Sequence, residues 1–454
     1  LNCQNVNCNS SNFMKDSTLL KKGKNVLTLI AVNLAIAFVC LEALSLTFYL
    51  INQEQFFYTR TKSTEKVVED IERIGIRLDE SIVERLHPFF AYVLKQGAFT
   101  NERLKLKVNR QGFFSLYEYP FFKTNKNQFI VGIFGGSVAN NFAVDEYINQ
   151  RLSKKLKAYP EFANKEIIVL NFGNGGYKQP QQLLILNYFL ALGQELDLVL
   201  NIDGFNEVAL SNLNNKAQVE LGMPSVQHIQ PLTGLANNNL SPEVMSSIVQ
   251  ISENKKQLKE AIDKLPTCQL ALCHAVTSLQ VRQLVNSYQQ AVAKYDIQVK
   301  NSSKDTANSS ITYIPKANSV LKDAAAFDKM ASMWYESSVT MNQVLSSRKI
   351  PYFHFVQPNQ YYPTQRVFTE KEKLIAINKD SPYIEAVKKG YPVLLSKVDD
   401  LQKARVNVFS GVNILDNTKE TVYKDACCHY NSVGEEVLAN YVSSSIIKVV
   451  RESK

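Results

Sequence analysis

A chain of 454 residues with 45% hydrophobic and 20% charged residues has ample material for a large core, which excludes a disordered chain or a polytopic membrane protein. The net charge of +9 comes from Lys and Arg spread along the chain without dense basic runs, so no nucleic-acid groove is expected. The seven cysteines, Cys3, Cys8, Cys40, Cys268, Cys273, Cys427 and Cys428, form no CxxC pair with a matching CxxC or HxxxH, and neither a metal nor another cofactor is expected.

Residues 1–25 read as a cytoplasmic tail, Asn-rich at first; the part before Met14 can equally be an extension upstream of a natural start. Residues 26–51, VLTLIAVNLAIAFVCLEALSLTFYLI, form the one apolar run long enough to cross a hydrocarbon core, which takes about 20 residues. Lys15, Lys21, Lys22 and Lys24 precede it, so the positive-inside rule puts the N-terminus in the cytoplasm and the rest outside. A signal peptide cut near Ala43-Leu44-Ser45 and a lipoprotein signal ending at Cys40 are the competing readings, disfavoured by the length of the run and the bulk of Val39. Glu42 and Asn33 are costly in a bilayer; Glu42 is expected near the outer interface, or against a partner helix.

Residues 52–85 carry charge and, in KVVEDIERIGIRL, apolar residues at helical spacing, the pattern of a stalk. HPFFAYVLK and VNRQGFFSL then read as short extended pieces. Four apolar runs follow, Phe129 to Phe134, Glu166 to Asn171, Leu196 to Ile202 and Ile350 to Val356, with a weaker fifth from Val406 to Leu415. Continuous apolar runs alternating with helical patterns indicate a buried parallel sheet of an α/β domain, expected over residues 86–454. Residues 208–347 are too long for a bare loop and are expected as a helical insertion, within which Cys268 and Cys273 form a disulfide or remain free thiols. GEEVLANYVSSSIIKVV predicts a final helix packed on the sheet.

The first chemical signal is FIVGIFGGSVANNF, a strand running into Gly135-Gly136-Ser137 and then a helix. Small residues there let the backbone turn sharply and project a hydroxyl beside free helix N–H groups, a suitable setting for a nucleophile and its oxyanion. VLNFGNGGYKQPQQ and LVLNIDGFNEVAL add a glycine-rich loop and an Asn206 amide after the next two strands. KDACCHYNSVGEE puts His429 and Asp425 just before the last helix, a base and a carboxylate to orient it. Each motif alone is also what an ordinary turn, a phosphate loop or a structural histidine looks like. His87, His228, His274 and His354 are assigned to packing, loop or substrate-contact roles, and Cys427 and Cys428 to buried free thiols or a vicinal disulfide.

Strand-Gly-Gly-Ser, Asn-x-Gly-x-x-Gly, Gly-x-Asn and a late His, in that order between about residues 129 and 445, resemble the four blocks of the SGNH (GDSL-like) hydrolases. HPFF, the VNRQGF segment and HFVQPNQYY resemble its membrane-anchored bacterial subgroup. The resemblance implies a three-layer, flavodoxin-like fold with a five-stranded parallel sheet. It further implies Ser137 as nucleophile, His429 as base, and the Ser137 N–H, Gly176 and Asn206 as oxyanion donors; Gly176 is chosen over Gly175 for standing five residues after Asn171. The sequence departs from the pattern at Gly136, at Glu207 where Asp is usual, and at Ala426, where the family's acid would stand; Asp425 lies one residue further from His429. The expected activity is esterase, on cell-surface polysaccharide or other carbohydrate esters. A catalytically silent subunit of a membrane-associated assembly and an O-acyltransferase are the alternatives.

Overall fold

The computed structural model describes residues 13–53, 55–60, 62–64, 67–68, 71, 83–97, 100–101, 106–236, 242–302, 314–315 and 317–452. They divide into two compact units, one built from residues 1–80 and 239–308, the other from 81–238 and 309–454. The segment expected as a single insertion is therefore shared: its middle joins the N-terminal helix, while its two ends belong to the unit with the sheet. Half of the expected stalk, including residues 72–82, and the cysteines at positions 3 and 8 lie outside the described residues.

In the first unit one helix runs over Phe13–Gln53. Its segment Thr28–Ile51 has a mean hydropathy of 2.3 and exposes its apolar side chains, the composition of a membrane anchor or a signal sequence. Helices Pro242–Lys264 and Ala271–Ser302 belong to the same unit. Helix Ala271–Ser302 begins at Glu42, whose carboxylate accepts the Ala271 and Leu272 N–H groups at 2.8 Å each and the Tyr58 hydroxyl at 3.0 Å. A helix start leaves N–H groups unpaired and carries a partial positive charge, so an acidic side chain brought from elsewhere in the chain is a fitting cap. Glu42 thus contacts a helix of its own chain. A disulfide joins Cys268, just before that helix, to Cys273 in its first turn.

The second unit is an α/β domain. Short antiparallel pieces, Glu84–His87 with Ala91–Leu94 and then Thr100–Asn101, Leu106–Val108 and Phe114–Ser115, lead into its sheet. The sheet has five parallel strands: β1 (Gln128–Gly135), β2 (Glu166–Asn171), β3 (Leu198–Asp203), β4 (Tyr352–Val356) and β5 (Asn407–Ser410). Their spatial order is 5-4-3-1-2. Strands β3 and β4 are buried at every position, the reason they read as unbroken apolar runs.

Helices cover both faces. On β4, His354 meets Trp334 and Ser338 of helix Asp323–Ser347, whereas its neighbour Phe355 meets Tyr441 of helix Ser432–Glu452. Successive strand residues point to opposite sides, so the two helices lie on opposite faces. β3 begins two residues later than the apolar run suggests and β5 is shorter, because Leu196, Val412 and Leu415 are buried by loops rather than by strand pairing.

Glu435, in the first turn of the final helix, is 5% exposed, and one of its carboxylate oxygens has no partner among the described residues. Burial, reinforced by Asp145 and opposed by Lys424 and Arg151, pushes its carboxyl up to about 8. An acid raised in the fold keeps a proton that the unfolded chain has lost, so its contribution to stability declines as pH rises from about 4.5 to about 8. In urea unfolding, Glu435→Gln is expected to gain on the wild type as pH rises through that window. The gain should approach about 1.4 kcal/mol per pH unit at the steepest point, and a constant difference across pH would refute the assignment.

Candidate functional site

Three neighbouring strands, β1, β2 and β3, end at the same edge of the sheet, and each hands over to a glycine-containing turn. β1 ends in Gly135, whose φ of +144° favours glycine. A β-carbon there would stand 2.1 Å from the Ile202 carbonyl oxygen of β3, so no other residue fits. Gly136 then precedes helix Ser137–Asn149, which puts Ser137 at its first position with an N–H that no helical carbonyl can reach.

After β2, Asn171 organises the loop. Its side-chain oxygen accepts the Gly173 N–H at 3.0 Å, and its amide donates to the Phe114 carbonyl and to Asn140. Asn174 takes the Gly175 N–H at 2.8 Å. Gly176 follows with φ +72°, its Cα pressed against the His228 ring and the Tyr92 hydroxyl. Among the described residues the Gly175 N–H is therefore engaged, while the Gly176 N–H is not.

After β3, Gly204 turns the chain with φ +118° into helix Phe205–Lys216. Asn206, 7% exposed, donates its amide to the Tyr177 carbonyl at 2.8 Å and lies against the Cα of Gly136. An amide has two N–H groups, so one remains for a ligand. Glu207 holds the two loops together: one oxygen accepts the Gly204 N–H at 2.8 Å, the other the Gln179 N–H at 3.0 Å and the Gln182 amide at 3.2 Å. Burial and the nearby Asp203 raise its carboxyl pKa, and burial depresses the ammonium of Lys178, whose Nζ donates to the Leu221 carbonyl.

The fourth element is the loop before the final helix. A bridge between Tyr423 and Tyr430, with Lys424 N–H donating to the His429 carbonyl at 3.0 Å, closes residues 424–429 into a tight turn. Inside it, Asp425 Oδ1 accepts the amides of Cys427, Cys428 and His429 at 2.9, 3.2 and 3.4 Å. Asp425 Oδ2 is 2.5 Å from His429 Nδ1, and His429 Nε2 is 2.7 Å from Ser137 Oγ. Burial alone would raise the Asp425 carboxyl, but His429 and the amides outweigh it and hold it down to about 2. The ionised carboxylate keeps the proton on Nδ1 and leaves Nε2 free to accept one from Ser137. The extra residue between acid and base is accommodated because the loop curls around the carboxylate.

Sequence reasoning missed what holds that loop in place. The residues after β4, in the QPNQYY run, reach its carbonyls: Asn359 to Cys427, Gln360 to Asp425, and the Tyr361 hydroxyl to Ala426 at 2.7 Å. The Tyr430 hydroxyl returns a bond to the Pro358 carbonyl at 2.6 Å. A run of amide side chains straight after a buried strand was the available signal.

A second serine-histidine-aspartate set exists and is excluded by access. His354 Nδ1 lies 2.8 Å from Ser338 Oγ, and its Nε2 2.8 Å from Asp203, which also accepts the Trp334 indole N–H at 2.8 Å. Ser338 and His354 are both 0% exposed, so no substrate meets them; they satisfy one another inside the core. By contrast the His429 and Asp425 side chains are 21% and 37% exposed. Of the other histidines, His228 pairs with Glu84 at 2.9 Å and stacks on Tyr92, His87 accepts the Phe89 and Phe90 N–H groups, and His274 packs edge-on to Tyr49 and Phe57.

No protein-family model matches the chain, and no curated protein matches it significantly. Geometry and sequence pattern carry the functional argument.

Replacing Tyr361 by Phe removes one hydroxyl donor under the His429 loop. The expected cost is about 1 kcal/mol, read as faster hydrogen exchange at the Cys427, Cys428 and His429 amides with core strands unaffected; unchanged exchange there would show that Tyr361 does not hold the loop.

Proposed function

We propose that this chain is an SGNH-type serine esterase that removes, or transfers, small acyl groups, held outside the cytoplasm by the apolar helix at residues 26–51. The observation that carries the reading is the continuous chain from Asp425 through His429 to Ser137 at the start of a helix. The strand order supports the flavodoxin-like part of it: the connections reverse direction between β1 and β3, and in doubly wound sheets ligands bind in the crevice at that switch point.

In this reading Ser137 Oγ attacks the ester carbonyl carbon while its proton passes to His429 Nε2. The oxyanion that forms is met by the Ser137 and Gly176 N–H groups and the second N–H of Asn206, donors set before the charge appears. When the C–O bond breaks, His429 returns the proton to the leaving alkoxide, and an acyl-serine remains. Water, or a second hydroxyl in a transferase, attacks that ester with His429 again taking the proton. Asp425 fixes the tautomer and stabilises the imidazolium. The proposed outward position makes an acylated envelope glycan the natural carrier, an assignment by analogy with carbohydrate-acting members of the family.

A fluorophosphonate probe and p-nitrophenyl acetate test this directly. The intact protein is expected to label at Ser137 and turn over the ester, Ser137→Ala to do neither, and Asp425→Asn to lose about 10³–10⁴-fold in kcat by holding the wrong tautomer. A folded wild type silent in both assays would overturn the enzyme in favour of a non-catalytic subunit. Acyl transfer to an added glycan would identify the transferase.

A further inference from the structure

Cys427 and Cys428 are the feature of this site that ester hydrolysis leaves without a task. Their sulfurs lie 3.3 Å apart without being joined. Together with a ring nitrogen of His429 they form a set whose ligand atoms all fall within 4.8 Å of one another. Asp425 occupies His429 Nδ1, which leaves Nε2, the atom facing Ser137, as the ring nitrogen open to a cation.

We infer that Cys427, Cys428 and His429 form a binding site for a thiophilic divalent cation such as Zn²⁺, and that the cation switches the esterase off by taking His429 Nε2 away from Ser137. The spacing is right for it. Tetrahedral zinc with bonds of about 2.3 Å to sulfur and 2.0–2.1 Å to nitrogen keeps its ligand atoms roughly 3.6–3.8 Å apart, against 3.3 Å between the two sulfurs and no more than 4.8 Å across the set here. The outer shell is also in place. A metal-bound imidazole usually donates its other N–H to a carboxylate, which fixes the ring and strengthens the nitrogen as a ligand; Asp425 holds His429 Nδ1 in that way at 2.5 Å. The same carboxylate gathers the amides of all three proposed ligands, so the cation meets a loop already folded around its outer partner.

Three donors leave a fourth tetrahedral position, which water or the Ser137 hydroxyl can fill. Binding converts the base into a ligand: with its lone pair on the cation, Nε2 can no longer accept the serine proton. The cation is an inhibitor here and takes no part in ester cleavage. The binding site rests on the loop geometry alone; its effect on activity rests on the esterase reading above.

Cadmium reports binding without any need for catalysis. The full-length protein, kept reduced, is titrated with Cd²⁺, and the ultraviolet thiolate-to-cadmium absorption is compared with that of the Cys427→Ser/Cys428→Ser double variant and of His429→Ala. The expected result is a saturable band that the double variant lacks and that His429→Ala reaches only at more than tenfold higher Cd²⁺. Subtracting the double variant removes the signal of the remaining cysteines. In parallel, Zn²⁺ is expected to suppress fluorophosphonate labelling of Ser137 in the wild type, reversibly by EDTA, and to leave labelling in the double variant at its metal-free level. Equal bands in wild type and double variant would overturn the site, as would a His429→Ala titration that overlays the wild type, or thiol counting that finds Cys427 and Cys428 already disulfide-bonded in the protein as isolated. A difference band with no labelling in any sample would sustain the metal site while removing the esterase.

Discussion

The two oxygens of Asp425 carry the site. One gathers three consecutive amides and thereby shapes the loop; the other holds the imidazole that faces Ser137. Burial opposes ionisation, but His429 and the amides hold this carboxyl down to about 2, so it is ionised at neutral pH. Loop shape, ring orientation and tautomer are thus one electrostatic problem solved by one side chain.

Around it runs a belt of buried polar groups that fold and site share. Glu207 binds backbone on both the β2 and β3 loops, and the amides of Asn359 and Gln360 reach from the β4 loop to the His429 loop. Leaving such groups unpaired inside a protein costs about 1–3 kcal/mol each, so each link resists the loops drifting apart. Loops after parallel strands are otherwise free to vary. This chain restrains them with side-chain hydrogen bonds, and no disulfide lies among the described residues of that unit.

Much of the sheet was legible in the sequence because strands buried on both faces must be apolar throughout, and Phe129 to Phe134 or Leu198 to Ile202 can be little else. Ser137 and Asn206 were legible because glycines and polar residues crowd the ends of those runs, and His429 because it stands with an acid just before the last helical pattern. Asp425 was visible but one residue out of register, and only the curl of the loop shows how it reaches the ring. The clamp from Asn359 to Tyr361 was hidden, since an amide that holds a carbonyl sixty-odd residues away leaves no periodic trace. The sharing of the insertion between two units was hidden for the same reason: local helical spacing says nothing about which distant surface a helix will join. His354 teaches the converse, because residue types alone would have accepted Ser338 and Asp203 as its partners in catalysis.

Ser137 and His429 stand 292 residues apart, with the proposed nucleophile at the start of the helix that follows the first strand of the sheet and its base just before the last helix. During synthesis the Ser137 hydroxyl is made 292 residues ahead of His429, its proposed activating partner. Until the final strand and helix dock, a growing or truncated polypeptide holds a serine no more reactive than an alcohol in water. In the proposed reading the topology is a built-in delay: acyl chemistry waits until the loop carrying His429 has docked beside the sheet.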